Sequence, residues 1–211
     1  MPWKNIDWLD IEVNEYETAL NDQVREAYLA AYSGLKKQFK ARTAHYESIA
    51  SEAEDEHDRE SARDQLMYED FRWSEQRKAL TSMTLSMLAS LNKSFLDREK
   101  SLFKNTHPVS AGGYLGNSQL NKQINEYKAR FNIDLDKLEE FETLREVELA
   151  RNCCVHNDLE PTDDYRNQTR GILVGKSGKI EISPEALGAV ILNLAKFCRA
   201  LTGQMKKARK P

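Results

Sequence analysis

Leu80-Thr81-Ser82-Met83-Thr84-Leu85-Ser86-Met87-Leu88-Ala89-Ser90-Leu91-Asn92-Lys93-Ser94-Phe95 is the stretch on which the fold class turns. Its apolar positions Leu80, Met83, Met87, Leu88, Leu91 and Phe95 mostly recur at steps of three or four residues, the spacing that lays one apolar stripe along an α-helix. A half-buried strand would instead alternate at every second position. The pattern reaches back through Leu66 and Phe71 and forward to Leu102, predicting one long helix that ends before Pro108 and the Gly112-Gly113 pair. Its methionines read as gap-filling core side chains.

Upstream, Tyr16, Leu20, Val24, Ala27, Tyr28, Ala31, Leu35 and Phe39 keep the same spacing, predicting a first long helix that begins near Asn14. Residues 47–60 hold seven acidic side chains against one arginine, which suits either a solvated helical extension or a mobile helix-to-helix connection. Downstream, 105–117 reads as a loop, and Leu120, Ile124, Tyr127 and Phe131 mark a short third helix. Asp134 is the expected N-cap of a fourth, with Leu135, Leu138, Phe141 and Leu144 on its inner face and a polar turn over 157–161 as its stop.

Gly171-Ile172-Leu173-Val174 and Lys179-Ile180-Glu181-Ile182 flank Gly175-Lys176-Ser177-Gly178, the pattern of a small hairpin with a four-residue loop. Ser183 then caps a last helix, with Pro184 in its first position and Leu187, Val190, Ile191, Leu194, Phe197 and Leu201 on one face. The expected class is all-α: a helical bundle with two long N-terminal helices, a fourth helix, a small β-hairpin-like segment and a C-terminal closing helix. The chain reads as a single domain over 1–211.

At 211 residues and 40% apolar content there is material for one buried core, and 31% charged residues imply a heavily solvated surface. A net charge of −3 gives no global attraction to nucleic acid, so any such binding must come from a local patch. The basic end of the chain, 206–211, is the simplest such patch, though a charged terminus usually stays in water. Three cysteines form no disulfide framework, and no apolar run near the start has the length of a signal peptide or membrane span. A reducing, cytoplasmic setting without a membrane is expected.

Candidate chemistry concentrates in Glu148-Leu149-Ala150-Arg151-Asn152-Cys153-Cys154-Val155-His156-Asn157-Asp158, at the end of the fourth helix. Arg151 and His156 stand five residues apart, a spacing that none of the other histidines repeats. Arginine offers a permanently charged planar fork for phosphate oxygens, and histidine titrates near neutrality, so the pair suits phosphodiester cleavage without a metal. On an α-helix, residues five apart differ by about 140° around the axis. Convergence therefore needs His156 on a fraying last turn, or a site that pairs residues from two copies across a symmetry axis.

Asn152 adds a donor and acceptor beside the arginine, and Asn157 extends the polar end. Adjacent Cys153 and Cys154 point about 100° apart and lack a Cys-x-x-Cys partner, so they read with Val155 as packing rather than as zinc ligands. No calcium-loop pattern occurs in the acidic stretch. No cofactor and no metal are expected.

Arg151-Asn152-Cys153-Cys154-Val155-His156 resembles the Arg-x4-6-His motif of the HEPN superfamily (higher eukaryotes and prokaryotes nucleotide-binding domains), whose RNase members often place a polar residue after the arginine. The order of elements is similar over roughly 66–205. The resemblance implies an all-α bundle, a homodimer that brings two motifs into one cleft, and metal-independent RNA cleavage leaving a cyclic phosphate, in toxins or antiphage effectors. It implies Arg151 on the scissile phosphate, His156 in acid–base work, and Asn152 orienting one of them, with Asn157 supporting.

Some toxin members carry a nucleotide-accepting tyrosine two residues after the histidine. Here Asp158 stands there, so that modification is not implied. RNA, a second copy of the chain, and an antitoxin or another defence protein are the expected partners. The alternatives are a non-catalytic dimerisation or nucleotide-binding module, and a subunit whose acidic-tipped helices dock on a basic protein.

Overall fold

The computed structural model describes residues 7–102 and 119–208. They form an all-α structure in which α1 (Trp8–Thr18), a π-helical segment (Ala19–Glu26) and α2 (Ala27–Glu52) run on without a break. The helix starts at Trp8, earlier than the predicted Asn14, because Leu9 and Val13 already belong to the core and Asp7 caps them, its carboxylate accepting the Leu9 N–H at 3.1 Å. Tyr16, Leu20, Val24 and Tyr28 are all buried at strict four-residue steps. Four residues of α-helix drift about 40° from one full turn, and the wider i→i+5 turns of the π segment counter that drift, keeping all four on the core side.

A short turn at 53–55 separates α2 from α3 (Glu56–Ser101), so the acidic stretch is the tip of a helical hairpin. Asp55 caps α3 by accepting the His57 N–H at 2.8 Å. The predicted loop over 105–117 and the end of the chain at 209–211 lie outside the described residues. α4 spans Gln119–Phe131 as expected.

Asp134 does not cap a fourth helix. It precedes a single 3-10 turn, Leu135–Lys137, and its carboxylate pairs with Lys128 (2.8 Å) and Lys137 (3.1 Å) instead of a backbone N–H. The chain then turns through Glu140, in the left-handed region at φ 57°, and α5 begins at Phe141 and ends at His156. A short helix missed by the periodicity, α6 (Asp163–Gln168), follows with Thr162 as its cap, and α7 (Pro184–Ala208) closes the fold.

Residues 171–182 do not form the predicted hairpin. One antiparallel bridge, Val174 with Ile180, is the only pairing among the described residues, closed by Gly175 N–H to Lys179 O (2.9 Å) and Glu181 N–H to Leu173 O (2.8 Å). The groups that would extend a ladder are engaged elsewhere. Leu173 N–H donates to Glu146 Oε1, Ile180 N–H to Leu159 O, and Ile182 N–H to Thr81 Oγ1. A Cβ at Gly175 would crowd the Glu181 side chain, lying 2.6 Å from its Oε2 and 3.0 Å from its Cβ.

α7 packs against α1, the π segment and α5, and Leu187, Leu194, Phe197 and Leu201 are wholly enclosed. Its length and apolar content would also suit a bilayer span, but in this fold its apolar face is the core. Buried polar groups line α3: Asn92 accepts from the Tyr16 hydroxyl, and Glu99 Oε1 accepts from Thr202 Oγ1 at 2.7 Å. Burial pushes Glu99 up to about 7, with the Thr202 hydrogen bond opposing and Glu12 and Asp7 adding to the rise.

Beyond this body, residues 36–79 contribute nothing to the core cluster and form a two-helix arm. It is held by the stacked Phe39 and Trp73 rings (5.2 Å), the Arg42–Glu69 ion pair (3.3 Å) and buried Ala62. Phe71 and Met83, expected on the core stripe, are instead 63% and 54% exposed. The stripe of a 46-residue helix rotates past its neighbours, so positions that share the sequence spacing do not all meet the core.

Candidate functional site

The end of α5 is fixed by packing before any polar group is placed. Val147, Ala150 and Cys153 are fully enclosed, one below the other at three-residue steps, and Cys154 is half-buried beside the Ser82 hydroxyl of α3. Burial raises the Cys154 thiol above its ordinary value. Val155 does not pack as expected. It is 55% exposed, because it stands one turn beyond Arg151 on the outward stripe.

Arg151 is exposed, and its Nη1 donates to Asn152 Oδ1 at 3.3 Å. Glu148, three residues before it, is half-buried where Arg151 and Lys93 of α3 both act on it. Burial holds its carboxyl above the usual range while those two cations pull it back. Neither Glu148 nor Lys93 was singled out from the sequence. The i,i+3 spacing of Glu148 and Arg151 was legible there, whereas Lys93 joins only through the packing of α5 on α3.

His156 is the last residue of α5, exposed and without a hydrogen bond among the described residues. The helix remains regular to that point, so Arg151 and His156 leave its axis about 140° apart and do not converge within one chain. Asn157 serves the turn, its Nδ2 donating to Glu160 O at 2.8 Å. Cys153 O accepts from both Asn157 N–H (3.0 Å) and Leu159 N–H (3.2 Å), satisfying the helix end.

Asp158 and Leu159 sit at φ 45° and 67°, a left-handed pair that costs a non-glycine chain energy. Burial of the Leu159 side chain and the Ile180 N–H to Leu159 O bond (2.8 Å) hold the turn in place. On its outer side Asp158 meets Lys179 (3.6 Å) and Lys78 (4.0 Å) at the rim of a cleft of about 360 Å³ lined by Trp73, Arg77, Thr81 and Leu159. Arg77 stacks on Trp73 (5.5 Å) and pairs with Glu181, and Lys179 pairs with Glu160 (2.9 Å). Every cation of that cleft has a carboxylate partner.

Among the described residues no three His, Cys, Asp or Glu side chains are grouped to hold a metal ion. Glu146, buried on α5, is the structural support that sequence reasoning missed. Its Oε1 accepts both the Tyr165 hydroxyl (2.6 Å) and Leu173 N–H (2.9 Å), tying α6 and the 171–182 segment to the motif helix. The molecule is thus defined as an all-α protein with an exposed arginine, a partly buried asparagine beside it and an exposed histidine at one helix end. Compared with known proteins, the chain matches no family pattern, no curated protein and no solved structure.

Proposed function

We propose that the chain is a metal-independent endoribonuclease of the HEPN type, working in the cytoplasm as a toxin or in antiphage defence. The observation that carries this reading is the pair of solvent-facing groups on one rigid helix end: Arg151, steadied by Asn152, and His156 at the terminus. Because the two side chains diverge by about 140° within a chain, the working site pairs motifs from two copies across a two-fold axis.

In that cleft an imidazole takes the proton of a ribose 2′-hydroxyl, and the oxygen attacks the adjacent phosphorus. The bond to the 5′-oxygen breaks, that oxygen receives a proton from an imidazolium, and a 2′,3′-cyclic phosphate remains. Arg151 neutralises the charge on the non-bridging oxygens.

The test is cleavage of a labelled RNA pool by purified protein in excess chelator. Cleavage with cyclic-phosphate ends, lost in His156→Ala, supports the reading, and equal cleavage by wild type and His156→Ala overturns it. A second reading has one observation in its favour: neither Arg151 nor His156 lines any of four clefts of about 360 to 700 Å³. In that reading the motif helix is a non-catalytic dimerisation or partner-binding surface, and growth arrest on expression would persist, or be absent, regardless of His156.

A further inference from the structure

We propose that the outer face of α3 between Glu60 and Lys78 is a self-association surface on which two copies of the chain pack antiparallel. Met67, Tyr68 and Phe71 are 72%, 57% and 63% exposed and adjoin one another on the arm. At roughly 100 Å² each they make an apolar patch of about 300 Å², on a segment with no core of its own beneath it.

The residues around the patch identify the occupant. Glu60, Asp64, Met67, Phe71, Ser74 and Lys78 alternate four- and three-residue steps, which puts them on one stripe of the helix, apolar at its centre and polar towards both ends. All are exposed except Lys78, which is partly so. A two-fold axis level with Glu69 places Met67 against Phe71 of the partner subunit. The same axis sets Glu60 against Lys78 of the partner subunit.

Glu60 and Lys78 thus stand at equal distances from one midpoint with opposite charge, so the two ends of the stripe attract when the helix is reversed and repel when it is parallel. In the single chain Lys78 pairs with Glu75 (2.8 Å) and reaches Asp158 at 4.0 Å, contacts between solvent-facing groups that exchange at little cost. The stripe stops at Lys78, just before Leu80, where α3 enters the core.

Two copies joined this way hold their α5 motifs at opposite ends of the arm pair. The contact is therefore separate from the motif cleft of the proposed nuclease, and neither proposal falls with the other.

Sedimentation equilibrium on the full chain over a micromolar concentration series tests it, using wild type, Met67→Ser/Phe71→Ser, Glu60→Lys, Lys78→Glu and the double reversal Glu60→Lys/Lys78→Glu. The substituted groups lie outside the core, so the variants are expected to fold, and circular dichroism checks this. The apolar variant should halve the mass of the assembly. Each single reversal should weaken association about tenfold, and the double reversal should return to within about threefold of wild type. A wild type monomeric throughout, a mass unchanged by the apolar variant, or a double reversal no tighter than the single ones overturns the proposal.

Discussion

Glu99 has no exposed surface, and one of its oxygens has no hydrogen-bond partner among the described residues, so the fold favours its neutral form. Its pKa, pushed up to about 7, lies above the ordinary unfolded value near 4.3. The folded state therefore holds this proton more tightly. Its stabilising effect is complete below the unfolded value, falls as pH rises between the two, and is gone above about 7. Glu99→Gln keeps the shape without the charge. The difference in unfolding free energy between variant and wild type should grow by about 1.4 kcal/mol per pH unit across that window and level off above it, read from urea titrations at several pH values. At the motif, Arg151 and His156 touch nothing that holds the fold together. Arg151→Ala and His156→Ala should each lower RNA cleavage by at least about 100-fold while leaving stability within about 0.5 kcal/mol of wild type. Activity and stability measured on the same preparations check both halves.

At the scale of elements, α5 is a packed rod whose surroundings hang on one carboxylate. Glu146→Ala leaves the Tyr165 hydroxyl and the Leu173 N–H as buried donors without an acceptor. It should cost on the order of 2 to 4 kcal/mol in chemical denaturation, against about 1 kcal/mol for Tyr165→Phe, which removes only one bond. The helices themselves were legible where the apolar spacing was long and unbroken, as in α2, α3, α4 and α7. Element ends were not. Asp134 has the chemistry of a cap, but Lys128 and Lys137 engage its carboxylate. The 171–182 segment has the alternation of a hairpin, but Glu146, Leu159 and Thr81 claim its hydrogen bonds.

Across the whole molecule, α7 is the centre and the arm is the periphery, and the two should differ in cooperativity. Leu194→Ala, at an enclosed site, should cost about 2 to 5 kcal/mol, whereas Leu192→Ala, 58% exposed on the same helix, should fall within about 0.5 kcal/mol. Amide exchange should place residues 36–79 well below α7 in protection, because the arm can open without disturbing the core. If the arms pair in solution, that protection should rise with protein concentration while α7 stays unchanged.

The sequence by itself determined the all-α class, the long helices, the Ser183 cap of α7 and the location of Arg151, Asn152 and His156 at a helix end. Each of these follows from local spacing and local chemistry, which no distant contact overrides. Only the tertiary structure decided that Val155, Phe71 and Met83 face water, that Arg151 shares Glu148 with Lys93, and that Glu146 anchors the turn beyond the motif. Those outcomes depend on which face of one helix meets another, and residue spacing along a single helix leaves that rotation open.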